Sequence, residues 1–452
     1  MRKLLLITLL FANHLSYSQN TQEQFHDDYL EACNLISKKY IYFDRKSELT
    51  REEFIEQKVN YADSISWDAE RFVQEIHNLR CLFPDGHFSW SVPKTLSPLD
   101  KFYTLGFVCT FTNDSALIIK KVYNNYNKRL TKNDTIVKIN NISAKEYIKN
   151  LGNKEPQSTI NATLEVAARN FTLKKYSSPL DFNLNDLEIE IKNGKRKKTI
   201  KAKWHTCGLT SNVAEVRKNY ELLLVQRNGY LSLEEIPEDY SSYHSSFYLY
   251  NKTIDSITFS ILHLRDFFAW KASDLDSVIQ KINKTNPEYL VLDLKDCSGG
   301  AFNQMLFLSH ALGINKSYKF FYDNFTKSDK RYTGVSDFDF ISNKIELANT
   351  WNGKVIIRSN EICGSACDFF IRRMQVNNRA LIVGNSPAGR GGGTDQFVLS
   401  NTKATISFPL RERIPMDYQK SIEGDVMDID FISEENINGI LIELINNKFI
   451  SN

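Results

Sequence analysis

Beyond its first dozen positions, no stretch of this sequence approaches the roughly 20 consecutive apolar residues a membrane span needs, so no transmembrane helix is expected. Charge of one sign is also scarce. Lys and Arg number 57 against 54 Asp and Glu, a net of +3, which argues against an electrostatic nucleic-acid binder. The densest basic run, Lys195, Arg196, Lys197 and Lys198, reads as a solvated turn between strands. Cysteines are few, odd in number and scattered. They form neither a dense disulfide framework nor a paired CxxC pattern, so no structural metal is expected and most read as small buried hydrophobes. The chain has no solenoid-type repeat and no long low-complexity tract.

What is present fits a soluble, modular protein. At 452 residues, 42% hydrophobic and 25% charged, the chain suits two or three domains. Arg2 and Lys3 precede the apolar run Leu4 to Phe11, and Ser16-Tyr17-Ser18 supplies small residues at cleavage-like spacing. Residues 1–18 therefore read as a signal peptide, with a mature chain starting near Gln19 and an exported protein, periplasmic or extracellular. Its loss lowers the net charge by two, because no acidic residue stands in that segment. All seven cysteines (Cys33, Cys81, Cys109, Cys207, Cys297, Cys363, Cys367) lie beyond it, in a compartment where disulfides persist. None follows the cleavage point closely, so a lipid anchor is not expected.

Three regions differ in pattern. In 19–98, Phe25, Tyr29, Cys33, Ile36 and Tyr40 recur at helical spacing, and the pattern returns from Phe72 to Leu82. Pro84, Asp85 and Gly86 then break the helix and place His87 on a turn. In 99–206, short β-rich runs predict strands at Leu105–Phe111, Ala116–Val122, Thr135–Ile139 and Leu187–Ile191. Within them, Leu130 to Asn140 resembles the turn-then-strand signature of PDZ-like domains, whose open strand edge captures extended peptides. In 207–452, β-rich runs alternate with helical stretches, which predicts a largely parallel sheet with crossover helices. Tyr289–Leu294 is a nearly continuous apolar strand, followed by the turn Gly299-Gly300 and a helix from Ala301 to Leu312. Lys354–Arg358 repeats the plan, followed by Cys363-Gly364-Ser365-Ala366 and a helix to about Val376; Ala380–Val383 is a further strand.

Two strand-to-helix turns thus stand at the carboxyl ends of strands, where such sheets usually build their sites. A nucleophile at a helix start gains from the dipole, and unpaired backbone N–H groups on a neighbouring turn stabilise an oxyanion. Ser365 and Gly299-Gly300 suit those roles; a serine helix cap beside a flexible glycine turn would give the same pattern.

Asp293-Leu294-Lys295-Asp296-Cys297-Ser298-Gly299-Gly300 resembles the Asp-Leu-Arg-x-Asn-x-Gly-Gly motif of the tail-specific, or C-terminal processing, serine peptidases. Ser365-Ala366-Cys367-Asp368, followed by Arg379 to Gly384, resembles their Ser-Ala-x-Glu nucleophile segment and the strand after it. The resemblance implies an α/β fold: a ClpP/crotonase-like sheet-and-helix core with a helical N-terminal region and a β-rich PDZ-like module. It also implies peptide or protein substrates and no cofactor. Many family members take a lysine base from a Gly-Lys context downstream. Arg390 stands there, and a permanently protonated guanidinium cannot accept the serine proton.

The tricorn-like branch instead uses an N-terminal histidine. Asp85-Gly86-His87 resembles its histidine turn, and Glu423-Gly424-Asp425-Val426-Met427-Asp428-Ile429 its late acidic motif. Gly86 replaces that branch's serine, so the relay is a triad or is bridged by another hydroxyl or a water. Of the other histidines, His14 leaves with the signal, and His26, His77, His205, His244, His263 and His310 lie in no such turn. The implied site is Ser365 as nucleophile, His87 as general base and Glu423 as orienting carboxylate, with oxyanion donors on Gly299 or Gly300 and Ala366. Arg390 either binds a substrate carboxylate or is an ordinary surface arginine in its glycine-rich loop. Cys297 and Cys363 either bridge the two catalytic turns or are packed free thiols. The alternative function is a peptide-binding protein that keeps the fold without turnover.

Overall fold

The computed structural model describes residues 21–450, apart from 97–101, 113–115, 124–128, 176–183, 211–222, 228–229, 232–240, 245, 269, 315–317, 326–330, 338–346 and 434–435. The expected signal peptide lies outside the described residues.

The N-terminal region forms helices Gln22–Lys39, Arg51–Ser64 and Ala69–Cys81. Each has a side-chain cap: Thr21 with Gln24 and Thr50 with Glu53 make capping boxes, and Asp68 accepts from Arg71 N–H. The helical periodicity buries Phe25, Tyr29, Cys33 and Ile36 together with Phe72 and Ile76. These helices do not close a core alone. Leu399, Ala404, Ile406, Phe408 and Leu410, from the far end of the chain, complete the cluster.

The β-rich module is a sheet in which Phe107–Phe111, Leu117–Val122, Thr135–Ile139, Leu187–Asn193 and Arg196–Ala202 lie side by side in that order, with helices Ala144–Gly152 and Ile160–Asn170 packed on it. Asn140 and Asn141 both adopt positive φ (48° and 65°), a conformation asparagine tolerates, and Ser143 caps the helix that follows. Of the basic run, only Lys195 lies in the expected turn, with Gly194; Arg196, Lys197 and Lys198 open strand Arg196–Ala202, and all four are exposed. On edge strand Phe107–Phe111, the Phe111 N–H is already taken by the Glu165 carboxylate at 2.9 Å.

The third region carries a seven-stranded sheet in the order Ser241–His244, Phe247–Ile254, Ile257–Leu264, Tyr289–Asp293, Lys354–Ser359, Leu381–Gly384, Phe431–Ile432. From Ile257–Leu264 onward its neighbours run parallel. Tyr289–Asp293 is buried at every position, because both faces of the sheet are covered. Leu290 and Leu292 face helices Ala272–Thr285, Phe302–Ala311 and Ala366–Val376, while Val291 faces helix Ile437–Asn446. The α/β class with a helical N-terminal region, as expected, is the architecture observed.

Another sheet ties the regions together. Strand Thr405–Pro415 pairs with Lys319–Phe325, Gly392–Val398 and the short strand Ser89–Ser91. His87 stands two residues before that short strand, so this pairing carries the histidine turn to the third region.

Candidate active site

Ser365 sits where strand Lys354–Ser359 has ended and helix Ala366–Val376 begins, with φ 56° and ψ −129°. A non-glycine residue there costs about 1–3 kcal/mol and persists only when its surroundings hold it. They do so here: Ser365 N–H donates to the Arg390 carbonyl at 3.1 Å, Gly364 N–H to the Cys297 carbonyl at 3.2 Å, and Phe369 N–H to the Ser365 carbonyl at 3.1 Å. The Ser365 side chain makes no capping bond, so the helix-cap reading fails, and among the described residues its hydroxyl has no partner.

The glycine turn lies directly against this serine. Gly299 has φ 94°, and a Cβ built on it would stand 2.3 Å from the Gly364 oxygen and 2.7 Å from Ser365 Cβ. Only glycine permits that approach. Gly300 is pinned on its other side by the Phe267 backbone, where Phe267 N–H donates to the Gly299 carbonyl and Ala301 N–H to the Phe267 carbonyl. Among the described residues the N–H groups of Gly299, Gly300 and Ala366 meet no acceptor. The site thus presents a hydroxyl on a strained backbone beside N–H groups that meet no acceptor among the described residues.

His87 and Glu423 come together from opposite ends of the chain. One donor atom each of Asp85, His87 and Glu423 lies within 4.8 Å of the other two. Asp85, wholly buried, accepts from His87 N–H at 2.7 Å and from the Tyr40 hydroxyl at 2.7 Å. Glu423 accepts from Gly391 N–H at 3.1 Å and from the Lys46 ammonium, which also lies 4.0 Å from Asp85. Three such donors suit a small cation, but Lys46 already supplies the positive charge between the two carboxylates.

Burial pushes the Glu423 carboxyl up, and the Asp85 charge adds to it. Asp85 itself is held down despite burial, by Lys46 and His87. His87 falls to about 4 because burial, Arg390 and Lys46 outweigh the pull of Asp85. The imidazole is therefore neutral at pH 7 and able to take a proton. As a residue His87 is half-buried, but its Nδ1 is enclosed and makes no hydrogen bond among the described residues.

Arg390 is 6% exposed, which overturns the surface-arginine reading. Its side chain runs between the turns of His87 and Ser365: a Cβ on Gly86 would lie 2.2 Å from its Nε, and one on Gly364 would lie 2.8 Å from its Cδ. Its far end donates to Gln157 of the β-rich module at 2.8 Å. Ser158 of the same loop accepts from Gly86 N–H at 3.2 Å. Ser365 and His87 thus occupy neighbouring turns separated by one side chain, and no hydrogen bond joins them.

Sequence reasoning missed Lys46, Tyr40, Asp85 as a buried carboxylate, and Gln157. Only Asp85 had a signal, its place two residues before the histidine. The cysteines are all free. Cys297, Cys363 and Cys367 cluster under the two turns, and burial drives the Cys367 thiol well up, which removes it as a nucleophile.

A hydroxyl, N–H groups that meet no acceptor among the described residues, and an imidazole on the neighbouring turn are what a serine-type peptidase needs, and that is the class of this protein. Residues 258–432 match the model of peptidase family S41. The structure is similar to that of mature CPAF complexed with lactacystin, at 13% identity and a TM-score of 0.70, over 94% of this chain and 99% of that one. It is similar also to mature CPAF, at 12% identity and a TM-score of 0.68, over 91% and 92%. At such identity the likeness speaks for the fold alone. No curated protein matches the sequence.

Proposed function

We propose that the protein is an exported peptidase that hydrolyses peptide bonds through an acyl-enzyme on Ser365, with His87 as general base. The Ser365 oxygen attacks the scissile carbonyl carbon while its proton passes to the imidazole. The oxyanion is received by the N–H groups of Gly299 or Gly300 and of Ala366. Collapse expels the amine, which takes the proton from His87, and water then cleaves the ester by the same proton path. Glu423, with Asp85 and Lys46 around it, orients the imidazole and balances the imidazolium. Arg390 withdraws from between base and nucleophile as substrate enters and pairs with a substrate carboxylate. Export rests on the residue pattern of positions 1–18, and the β-rich module is assigned to peptide capture.

The observation that carries this reading is Ser365 itself, held at φ 56° with its side chain making no helix-capping bond. The test is labelling by a serine-directed fluorophosphonate, with Ser365→Ala as control. Labelling confined to Ser365 is expected; intact protein that stays unlabelled overturns the proposal. A second reading, a peptide-binding protein without turnover, is favoured by one feature, the Arg390 side chain between Ser365 and His87. Labelling decides between the two.

A further inference from the structure

The carboxyl end of the core sheet carries a second concavity. A cleft of about 1350 Å³ opens between the strand ends and the β-rich module, and none of Ser365, His87 and Glu423 lines it. Seven lysines and arginines face it against four carboxylates.

The carboxylates of its floor are already committed. Asp293 accepts from His263 at 3.1 Å and lies 3.5 Å from the Arg358 guanidinium. Asp296 holds Arg169 at 2.8 Å and accepts from Asn360 at 2.8 Å. Glu165 takes Arg169 at 2.6 Å, the Thr110 hydroxyl and the Phe111 N–H.

Lys295 is the exception. It is half-buried on the same floor, yet among the described residues its ammonium makes no hydrogen bond and no ion pair. Burial, with Arg358 second, lowers its pKa to about 8, so it is mostly charged at neutral pH. A cation so placed is partly desolvated; Asp296 and Asp293 act on it from nearby, but both already hold other cations and neither is in contact with it, which leaves room for an incoming anion. On the rim, Lys120 and Lys252 are half-buried and Lys132 is exposed, so the field above Lys295 is positive as well.

We propose that this cleft binds a small, multiply charged oxyanion, the phosphate of an ester or a polycarboxylate, with Lys295 as its central partner. A lysine point charge on the floor and flexible lysines on the rim suit compact anions of that kind. The site is independent of the peptidase chemistry, and its test reads binding alone.

Isothermal titration of the full-length protein with pyrophosphate and, separately, with citrate is the experiment. Saturable one-to-one binding of either is expected, tighter pyrophosphate pointing to a phosphate ligand and tighter citrate to a carboxylate. Lys295→Met should weaken binding about tenfold, the effect of one charge-assisted contact. Absence of binding to the folded protein, or undiminished binding to folded Lys295→Met, overturns the proposal. Should Lys295→Met fail to fold, Lys120→Glu/Lys252→Glu replaces it, and unchanged affinity in that rim variant has the same force.

Discussion

The turn that carries Ser365 is shaped by backbone. Two glycine-rich loops at adjacent strand ends hold one another through main-chain bonds, and the resulting groups are left unused. The turn that carries His87 is shaped by side chains: Tyr40 and Lys46 from the N-terminal helices, Glu423 from the C-terminal part, and Arg390 reaching to Gln157. The first is rigid because its sheet is rigid. The second is assembled from five stretches of chain, and its charges are balanced only while all of them are in place. The Ser365 half thus rests on local contacts, whereas the His87 half depends on how the regions meet.

The sharpest way to break this contrast is at the serine. Ser365→Ala should lower turnover on the order of 10⁴-fold or more with the fold intact. A peptide-hydrolysis assay beside thermal melting checks it, and substantial residual turnover would move the nucleophile elsewhere. His87→Ala should be of similar size, and normal turnover would remove histidine from the mechanism.

Next in size is the charge cluster. Lys46→Met leaves Asp85 and Glu423 buried without their cation, and a denaturant titration should show about 3–5 kcal/mol of lost stability. A loss below about 1 kcal/mol would mean that the cluster is not the support described. Gly299→Ala should cost about 1–3 kcal/mol through strain at positive φ, and should abolish labelling of Ser365 through displacement of its neighbour.

The smaller effects concern pH. His87 binds its proton more weakly folded than unfolded, so between its ordinary value near 6.5 and about 4 the unfolded chain holds more protons. Its contribution is therefore present at neutral pH and is lost as pH falls through that window, with a slope of up to about 1.4 kcal/mol per pH unit. The raised Glu423 acts in the opposite sense, stabilising at low pH and losing that contribution as pH rises through its folded value. His87→Gln should flatten the acid-side slope of stability, and an unchanged slope would show the imidazole to be solvated. Arg390→Gln removes a charge that holds His87 down, so the acid limb of kcat/KM should move to higher pH by a fraction of a unit.

Much of the Ser365 half was readable along the chain, because it is local. The apolar run Tyr289–Leu294, the paired glycines and the serine-to-helix junction sit on consecutive residues, and strand Tyr289–Asp293 and helix Ala366–Val376 appear where expected. The helical spacing of Phe25 to Tyr40 was equally plain. The His87 half was only partly readable. His87 and Glu423 were found by resemblance, but Lys46 stands on a four-residue helical turn, Phe43–Lys46, too short for any periodic signal. Gln157 lies in a loop whose importance arises only when the β-rich module meets Arg390. Nor does the pattern at 19–98 show that its helices need Leu399 to Leu410, since that partnership spans more than 300 residues of separation.

That partnership has an outcome for biosynthesis. A ribosome delivers the three leading helices first, yet their greasy side waits for a strand made in the last eighth of translation. Until Thr405–Pro415 emerges, strand Ser89–Ser91 has no neighbour to pair with, and the imidazole beside it has no seat. A polypeptide without Thr405–Pro415 therefore exposes an adhesive helical surface and leaves the histidine turn unsupported. The seat of the imidazole is built only once that late strand has been made.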